Sequence, residues 1–467
     1  MNYIWVTIEK FGNVGLKVIG LIILARVLAP SDFGLFSIAA IIVSFSNVIV
    51  DSGLGGSLIK KNNVTDLDYS TVFVFNLTVS LTLVSGIYAL SDIMSNYFGH
   101  AELAVLIELM SLLIVFKSLY LIQITKLTRE LNFKIQAKIS LVAYVFSFPV
   151  GYYFAFKGYG AISLVYMTLA EGLSLLVFYL CSSRYFPKIR FSFQALKDMY
   201  SFGALLMLSS LVRTTYENIL TIIFGKSFGI KDLGYYYQAN KFSSAFINAV
   251  TLIINKAAFP MIVNSINSGR DSLHEMRELT RVVCSLTFFF FIMVFSTSDQ
   301  IIKLLLGSEW ADSGPMLAIL SLSGIGMIIE ALTRSFLKSF GKAGKIFITE
   351  IIKRSFGLAI IIPTIPYGIY WVLYSYVLST VFSGLLNLVI TSKETNYHIS
   401  HLMYDIMIPL FSAIVFIFLH AKLLLTNNIM VDITSAIFIL FIYLFFLLKI
   451  NFINYPKQLK GFKKSDT

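Results

Sequence analysis

Nine of the chain's 37 lysines and arginines interrupt stretches that are otherwise apolar: Lys10, Lys17, Lys117, Arg213, Lys241, Lys256, Arg334, Lys353 and Arg354. A lysine or arginine at the centre of a bilayer costs roughly 2.5–3.5 kcal/mol on insertion scales, so each needs a physical reason. A long side chain can snorkel to the interface, pair with a carboxylate, or face a hydrated chamber. Lys10 and Lys256 lie near the ends of their stretches and can snorkel, and Lys117 is similar. Glu330 precedes Arg334 by four residues, Glu350 precedes Arg354 by four, and Arg213 precedes Glu217 by four. That is the spacing of a local ion pair on one helix face. Lys17 and Lys241 have no acid three or four residues away.

Periodicity groups these residues with other polar ones. Gln238, Lys241, Ser244, Asn248, Thr251 and Asn255 recur every three or four residues, as do Thr7, Lys10, Asn13 and Lys17. Ser37, Ser44, Asn47 and Asp51 follow the same rule with one turn skipped. Each set is one face of a helix. Small hydroxyl residues glue helices together, which accounts for Ser and Thr but poorly for a lysine with three amides. A water-filled chamber fits better. Lined with Lys and Arg it attracts anions, phosphate and diphosphate above all. The expected anion-binding set is Lys10, Lys17, Arg213, Lys241, Lys256 and Arg354, with Asn47, Asp51, Gln238, Asn248 and Asn255 as polar lining. Asp51 and Glu217 are candidates to carry a coupling proton or sodium ion. The membrane potential is a third driving force, and the choice among the three stays open. No cofactor is expected.

These charges must be held by membrane helices. Of the 467 residues, 57% are hydrophobic and 13% charged, and the mean hydropathy is +0.80. A soluble domain carries about 25% charged residues, so lipid must be the solvent for most of this surface. Cys181 and Cys284 are far apart, which excludes a disulfide framework and a cysteine metal site. His398 and His401 have a metal-compatible spacing but sit in an expected loop without an acidic cluster.

Apolar windows predict fourteen spans: 5–28, 33–58, 70–90, 103–123, 136–156, 160–181, 201–224, 235–261, 279–298, 314–336, 345–363, 367–391, 404–421 and 431–449. Pro363 and Pro366 predict a tight hairpin between the eleventh and twelfth. The gaps 182–200 and 262–278 are each expected to hold one short amphipathic helix. With the N-terminus inside, twenty-two cations fall on the cytoplasmic side, counting the tail, and six on the other. That asymmetry orients the chain with both termini cytoplasmic. Trp5, Trp310 and Trp371 fall near the expected membrane boundaries. Met1–Glu9 carries no cationic side chain, so the N-terminus reads as a retained first helix rather than a cleaved signal. The net charge of +12 is a topology signal and an attraction to anionic lipid, and calls for no nucleic acid.

One internal match stands out. Leu28-Ala-Pro-Ser-Asp32-Phe-Gly34-Leu-Phe36 and Phe228-Gly-Ile-Lys-Asp232-Leu-Gly234-Tyr-Tyr236 share Asp-x-Gly, a bulky residue and an aromatic at an offset of 200 residues. Asp suits a turn and a helix start, and Gly allows close approach. The match predicts an all-α membrane protein with two six-helix lobes in parallel repeat around a central cavity. The corresponding divisions are 1–198, 199–392, an appended helix pair at 393–449 and a basic tail at 450–467.

Leu24-Ala-Arg-Val-Leu-Ala-Pro-Ser-Asp-Phe-Gly-Leu35, with Asp51-Ser-Gly-Leu-Gly-Gly-Ser-Leu-Ile-Lys60, resembles the start of bacterial polysaccharide transporters. These are the O-antigen and colanic-acid flippase branch of the multidrug/oligosaccharidyl-lipid/polysaccharide exporters. Thr128-Arg-Glu-Leu-Asn-Phe133, Phe259-Pro260 and Leu306-Gly-Ser-Glu-Trp310 look like further landmarks in the right order. The resemblance implies alternating access and a cargo of undecaprenyl-diphosphate-linked oligosaccharide, moved to the outer leaflet of a bacterial inner membrane by a monomer. Membrane lipids and other polysaccharide-assembly proteins are the implied partners. The rivals are a cation-coupled multidrug exporter, which wants acids and aromatics in its cavity, and a membrane polymerase or ligase, which wants a larger outer loop than 299–313.

Overall fold

In the computed structural model, residues 2–51, 53–61, 63–183, 185–269, 271–423 and 429–449 are described. The helices are α1 (Asn2–Ala25), α2 (Pro30–Asp51), α3 (Leu54–Lys60), α4 (Asp66–Phe98), α5 (Glu102–Arg129), α6 (Phe133–Phe156), α7 (Ala161–Ser183), α8 (Phe193–Ser227), α9 (Ile230–Asn267), α10 (Ser272–Leu305), α11 (Ser313–Ser339), α12 (Ala343–Thr364), α13 (Ile369–Glu394), α14 (Ile399–Leu423) and α15 (Ile429–Lys449). No strand occurs among the described residues. Ten of these stretches are long and apolar enough to cross a membrane: α2 with α3, α4 to α7, α9 to α11, α13 and α14. The other four expected spans fall on α1, α8, α12 and α15.

Helix ends follow local chemistry. Thr65 and Asp68 form a reciprocal capping box at the start of α4. The Ser192 side chain accepts from Ala195 N at the start of α8, and Asp271 accepts from Leu273 N at the start of α10. Two expectations are corrected. The second span breaks between α2 and α3 at Gly53, which has φ 64° and packs on the backbone of Gly203 in α8. Among the described residues the gaps at 182–200 and 262–278 hold no separate amphipathic helix; α8 begins at Phe193, α9 runs on to Asn267 and α10 begins at Ser272. Extending a span costs less than nucleating a new helix. The expected hairpin is present: Pro363 lies in the last turn of α12, and a 3₁₀ turn at Ile365–Tyr367 leads into α13.

The chain divides into two compact units, Met1–Gln238 and Ala239–Thr467. In the first, α1 packs on α6, α6 on α7, α5 on α2, α4 and α7, and α8 on α2, α3 and α4. Leu54, Leu58, Tyr69, Val72, Ile122 and Met199 form its core at the α3 end. In the second, α11 packs on α10 and α13, α12 on α13, and α14 on α10. Phe288, Phe291, Phe336 and Tyr397 anchor the main core, and Phe289 and Tyr443 a second one that holds α15.

Candidate functional site

In the first unit, Asn13 and Lys17 of the α1 stripe face α6 and α7. Asn13 Nδ2 donates to Ser140 Oγ on α6 at 3.0 Å. One turn on, Lys17 Nζ donates to Glu171 Oε1 on α7 at 2.7 Å and lies 5.7 Å from the Tyr144 ring centroid. The Lys17 side chain is still 52% exposed. Lys17 therefore has a partner, which corrects its reading as unpaired: packing of α1, α6 and α7 brings in an acid 154 residues away. Asp51, the last residue of α2, interacts electrostatically with Lys117 on α5. Asn47, one turn before it, has a buried Oδ1 without a hydrogen-bond partner among the described residues. Arg213 and Glu217 meet along α8 at 3.8 Å, both largely exposed.

In the second unit, the local pairs read from spacing belong to a larger group on α11 and α12. Lys353 Nζ donates to Glu330 Oε1 at 3.0 Å and to Glu350 Oε1 at 2.8 Å, and its side chain is 1% exposed. Arg334 pairs with Glu330 and lies 2.6 Å from Glu350 Oε1. Arg354 Nη2 lies 3.3 Å from Glu350 Oε2. Three cations thus share two carboxylates. Arg334 Nε, buried, has no acceptor among the described residues. Sequence reasoning missed Lys353 as a member, although its spacing of three from Glu350 was a usable signal.

A second charged knot joins α10 to α14. Asp405 is fully buried and accepts from Arg277 Nε at 2.8 Å, Arg281 Nε at 2.6 Å and Tyr397 Oη at 2.7 Å. Burial, then the bond to Asp405, raises the Tyr397 phenol well above the ordinary tyrosine range, so it remains a donor. Nothing in the local spacing marks this group, because the arginines and the acid lie more than 120 residues apart.

The α9 stripe is uneven. Lys241, Asn248 and Asn255 are exposed, but Gln238 is fully buried and neither amide atom has a partner among the described residues. The expectation that Gln238 lines an open chamber is corrected: it lies in the crowded first turns of α9. The side chains of Lys10 and Lys256, and the tail 450–467, lie outside the described residues.

The two copies of the Asp-x-Gly motif meet each other. Gly34 packs against the Ile230 carbonyl, and Gly234 against the Pro30 carbonyl. Subtracting the offset of 200 maps one contact onto the other. Asp32 accepts from Ala29 N at 2.9 Å and so closes the first turn of α2.

Long apolar helices carrying partly balanced charges define a polytopic membrane protein of the transporter type. The fold is that of a solved structure, the lipid II flippase MurJ in an inward closed conformation, with a TM-score of 0.74 and 14% identity over 95% of this chain and 98% of that one. Residues 23–315 match the family described as "Polysaccharide biosynthesis protein", and the chain belongs to that family. Every motif that carried the resemblance lies within that match. The succinoglycan biosynthesis transport protein ExoT of Rhizobium meliloti (strain 1021) is 26% identical over 75% of this chain and 71% of its own length. The teichuronic acid biosynthesis protein TuaB of Bacillus subtilis (strain 168) is 24% identical over 65% of this chain and 63% of its own length. The chain thus spans about two thirds of these relatives.

Proposed function

We propose that this protein is a flippase for a lipid-linked, negatively charged oligosaccharide, moving it from the cytoplasmic to the outer leaflet of a bacterial inner membrane. It is a transporter rather than an enzyme, and no bond in the cargo is made or broken. The observation that carries the reading is the group on α11 and α12, where three cations share two carboxylates inside a membrane protein of the polysaccharide biosynthesis family. The three cations exceed the two carboxylates by one charge and the Arg334 side chain is 40% exposed, so the group attracts an anion.

In this reading Arg354 with Arg334, and Lys17, Arg213 and Lys241 with Lys10 and Lys256, meet the diphosphate. Asn47, Asn248 and Asn255 meet the sugar. The lipid tail stays in the bilayer, and alternating access re-exposes the headgroup. Fourteen spans in two six-helix halves with α14 and α15 appended, both termini cytoplasmic, complete the proposal; the reciprocal meeting of Gly34 and Gly234 with the opposite helix start supports the repeat. Asp51 beside Lys117 is the better placed coupling group, since Glu217 is exposed and already near Arg213.

The test is complementation of a strain lacking the protein. The deletion is expected to accumulate lipid-linked repeat units facing the cytoplasm. The Arg334→Ala/Arg354→Ala variant, at wild-type protein level, should restore surface glycan at least about tenfold less well, since charged hydrogen bonds are each worth about 1.5–3 kcal/mol. Full restoration would remove the cationic reading. Single repeat units appearing on the surface of the deletion strain would point to a polymerase instead.

A further inference from the structure

The segment between α7 and α8 is pinned at both ends and bare in the middle. At one end Tyr185 Oη donates to Asp66 Oδ1 at 3.2 Å, its ring meets Tyr69 edge-on at 5.7 Å, and Lys126 Nζ lies 4.2 Å from its centroid. At the other end Ser192 N donates to Thr71 Oγ1 at 3.1 Å, and the Ser192 side chain caps α8. Between them Arg190 N donates to Lys188 O at 2.9 Å, closing a three-residue turn with Ile189 at its apex. Ile189 is 86% exposed, and Phe186 and Phe193 are 64% and 72% exposed. Lys188 and Arg190, on either side of the apex, are exposed as well.

The membrane-crossing stretch of α7 ends at Ser182, so the turn stands where the chain leaves the hydrocarbon. A turn open to water has no use for an isoleucine apex between two phenylalanines. A bilayer interface does: apolar groups sink beneath the headgroups and the adjacent cations meet lipid phosphate. Tyr185 and Ser192 are fixed to α4, so the apex is presented rather than left to find the surface by itself.

We propose that the 186–193 turn is a membrane-reading strap, with Ile189, Phe186 and Phe193 inserted at the interface and Lys188 and Arg190 selecting anionic headgroups. The inference rests on the membrane orientation and not on the flippase reading. The cation bias places the strap at the cytoplasmic leaflet, where negative surface potential is greatest.

The test uses the full-length protein with Ile189→Cys and the exposed Cys181 replaced by Ala; the other cysteine, Cys284, is buried. An environment-sensitive nitrobenzoxadiazole label at position 189 is read in vesicles of phosphatidylglycerol or phosphatidylcholine, with spin-labelled lipid as quencher. A parent carrying only Cys181→Ala reports any labelling of Cys284. Blue-shifted emission and lipid quenching are expected in phosphatidylglycerol, and much less in phosphatidylcholine. Adding Lys188→Gln and Arg190→Gln should reduce that preference at least about tenfold, from about fivefold per cation. Water-like emission in both lipids, equal burial in both, or a preference that survives loss of the two cations would each overturn the strap. Surface glycan production is a separate readout, so failure here leaves the flippase reading to its own test.

Discussion

The reciprocal glycine contact makes a prediction with an unusual sign. A methyl group on Gly34 would stand 3.0 Å from the Ile230 carbonyl carbon and nearer still to its oxygen. One on Gly234 would stand 2.5 Å from the Pro30 carbonyl carbon and 3.1 Å from its Cα. Carbon atoms prefer roughly 3.5–4.0 Å, so α2 and α9 must separate by on the order of 1 Å to admit either methyl. The obstacle is backbone in both cases, so no rotamer change relieves it. Overpacking costs about 1–3 kcal/mol, and against unyielding backbone it falls in the upper part of that range, about 2–3 kcal/mol. Against it stands a gain of about 1 kcal/mol, because alanine is the better helix former. Gly34→Ala and Gly234→Ala should each therefore destabilise by about 1–2 kcal/mol.

The double variant does not sum these costs. Separation forced by the first methyl makes room for the second, because both contacts lie across the same pair of helix starts. The helix-propensity gain, by contrast, counts twice. Gly34→Ala/Gly234→Ala should thus be no less stable than either single variant, with a coupling equal to the shared clash cost, about 2–3 kcal/mol, inside the range seen for touching residues. Thermal unfolding of the purified protein in detergent gives the ranking of midpoints, and the ranking is sufficient. Neutral single variants would show that the helices are not held at this distance. A double variant that melts lower than both would show that the two contacts are independent and the repeat has no shared axis here.

Two further outcomes are expected. Asp405→Ala should lower the unfolding midpoint by the equivalent of about 2–3 kcal/mol, below the 3–5 kcal/mol typical of a broken buried pair because Arg277 and Arg281 remain a quarter or less exposed and can reach water; an unchanged midpoint would refute the clamp between α10 and α14. Exchanging the charges of the α1–α7 pair, Lys17→Glu with Glu171→Lys, should recover the protein level lost in Lys17→Glu alone but not the surface glycan, measured by blotting both; recovery of the glycan would make that pair purely structural.

Which features were legible follows from how far each interaction reaches along the chain. Helices announce themselves in windows of about 20 residues, and each expected span overlaps a helix. Pairs within one turn were equally readable: Arg334 with Glu330, Arg354 with Glu350 and Arg213 with Glu217 are all formed. Lys17 with Glu171 and Arg277 with Asp405 are separated by 154 and 128 residues, and a periodicity argument sees only one helix at a time. Gln238 fails for a related reason. Periodicity assigns a face, but burial depends on what packs against that face. The break before α3 was hidden because Leu54, Leu58 and Ile59 keep the window apolar beyond it, although Asp51, Ser52 and the glycines at 53, 55 and 56 hinted at it.

The charged group on α11 and α12 is not required for adhesion on α11, because the same helix is packed on α13 without charge. Gly326 on α11 packs directly on the backbone of Thr380 in α13, and Gly384 lies so close to Gly326 that a methyl group on it would stand 3.1 Å from Gly326 O. Small residues of this kind bring membrane helices together through close packing alone. Holding α12 to α11 by three cations and two carboxylates is far more costly, and an apolar replacement of a buried ion pair is often neutral or stabilising. The cost makes sense if the charge is required at that depth for its own sake. On the flippase reading proposed above, a phosphate-bearing cargo crossing the hydrocarbon needs positive charge held within the helices, and carboxylates that nearly balance it keep the empty site tolerable between cargoes.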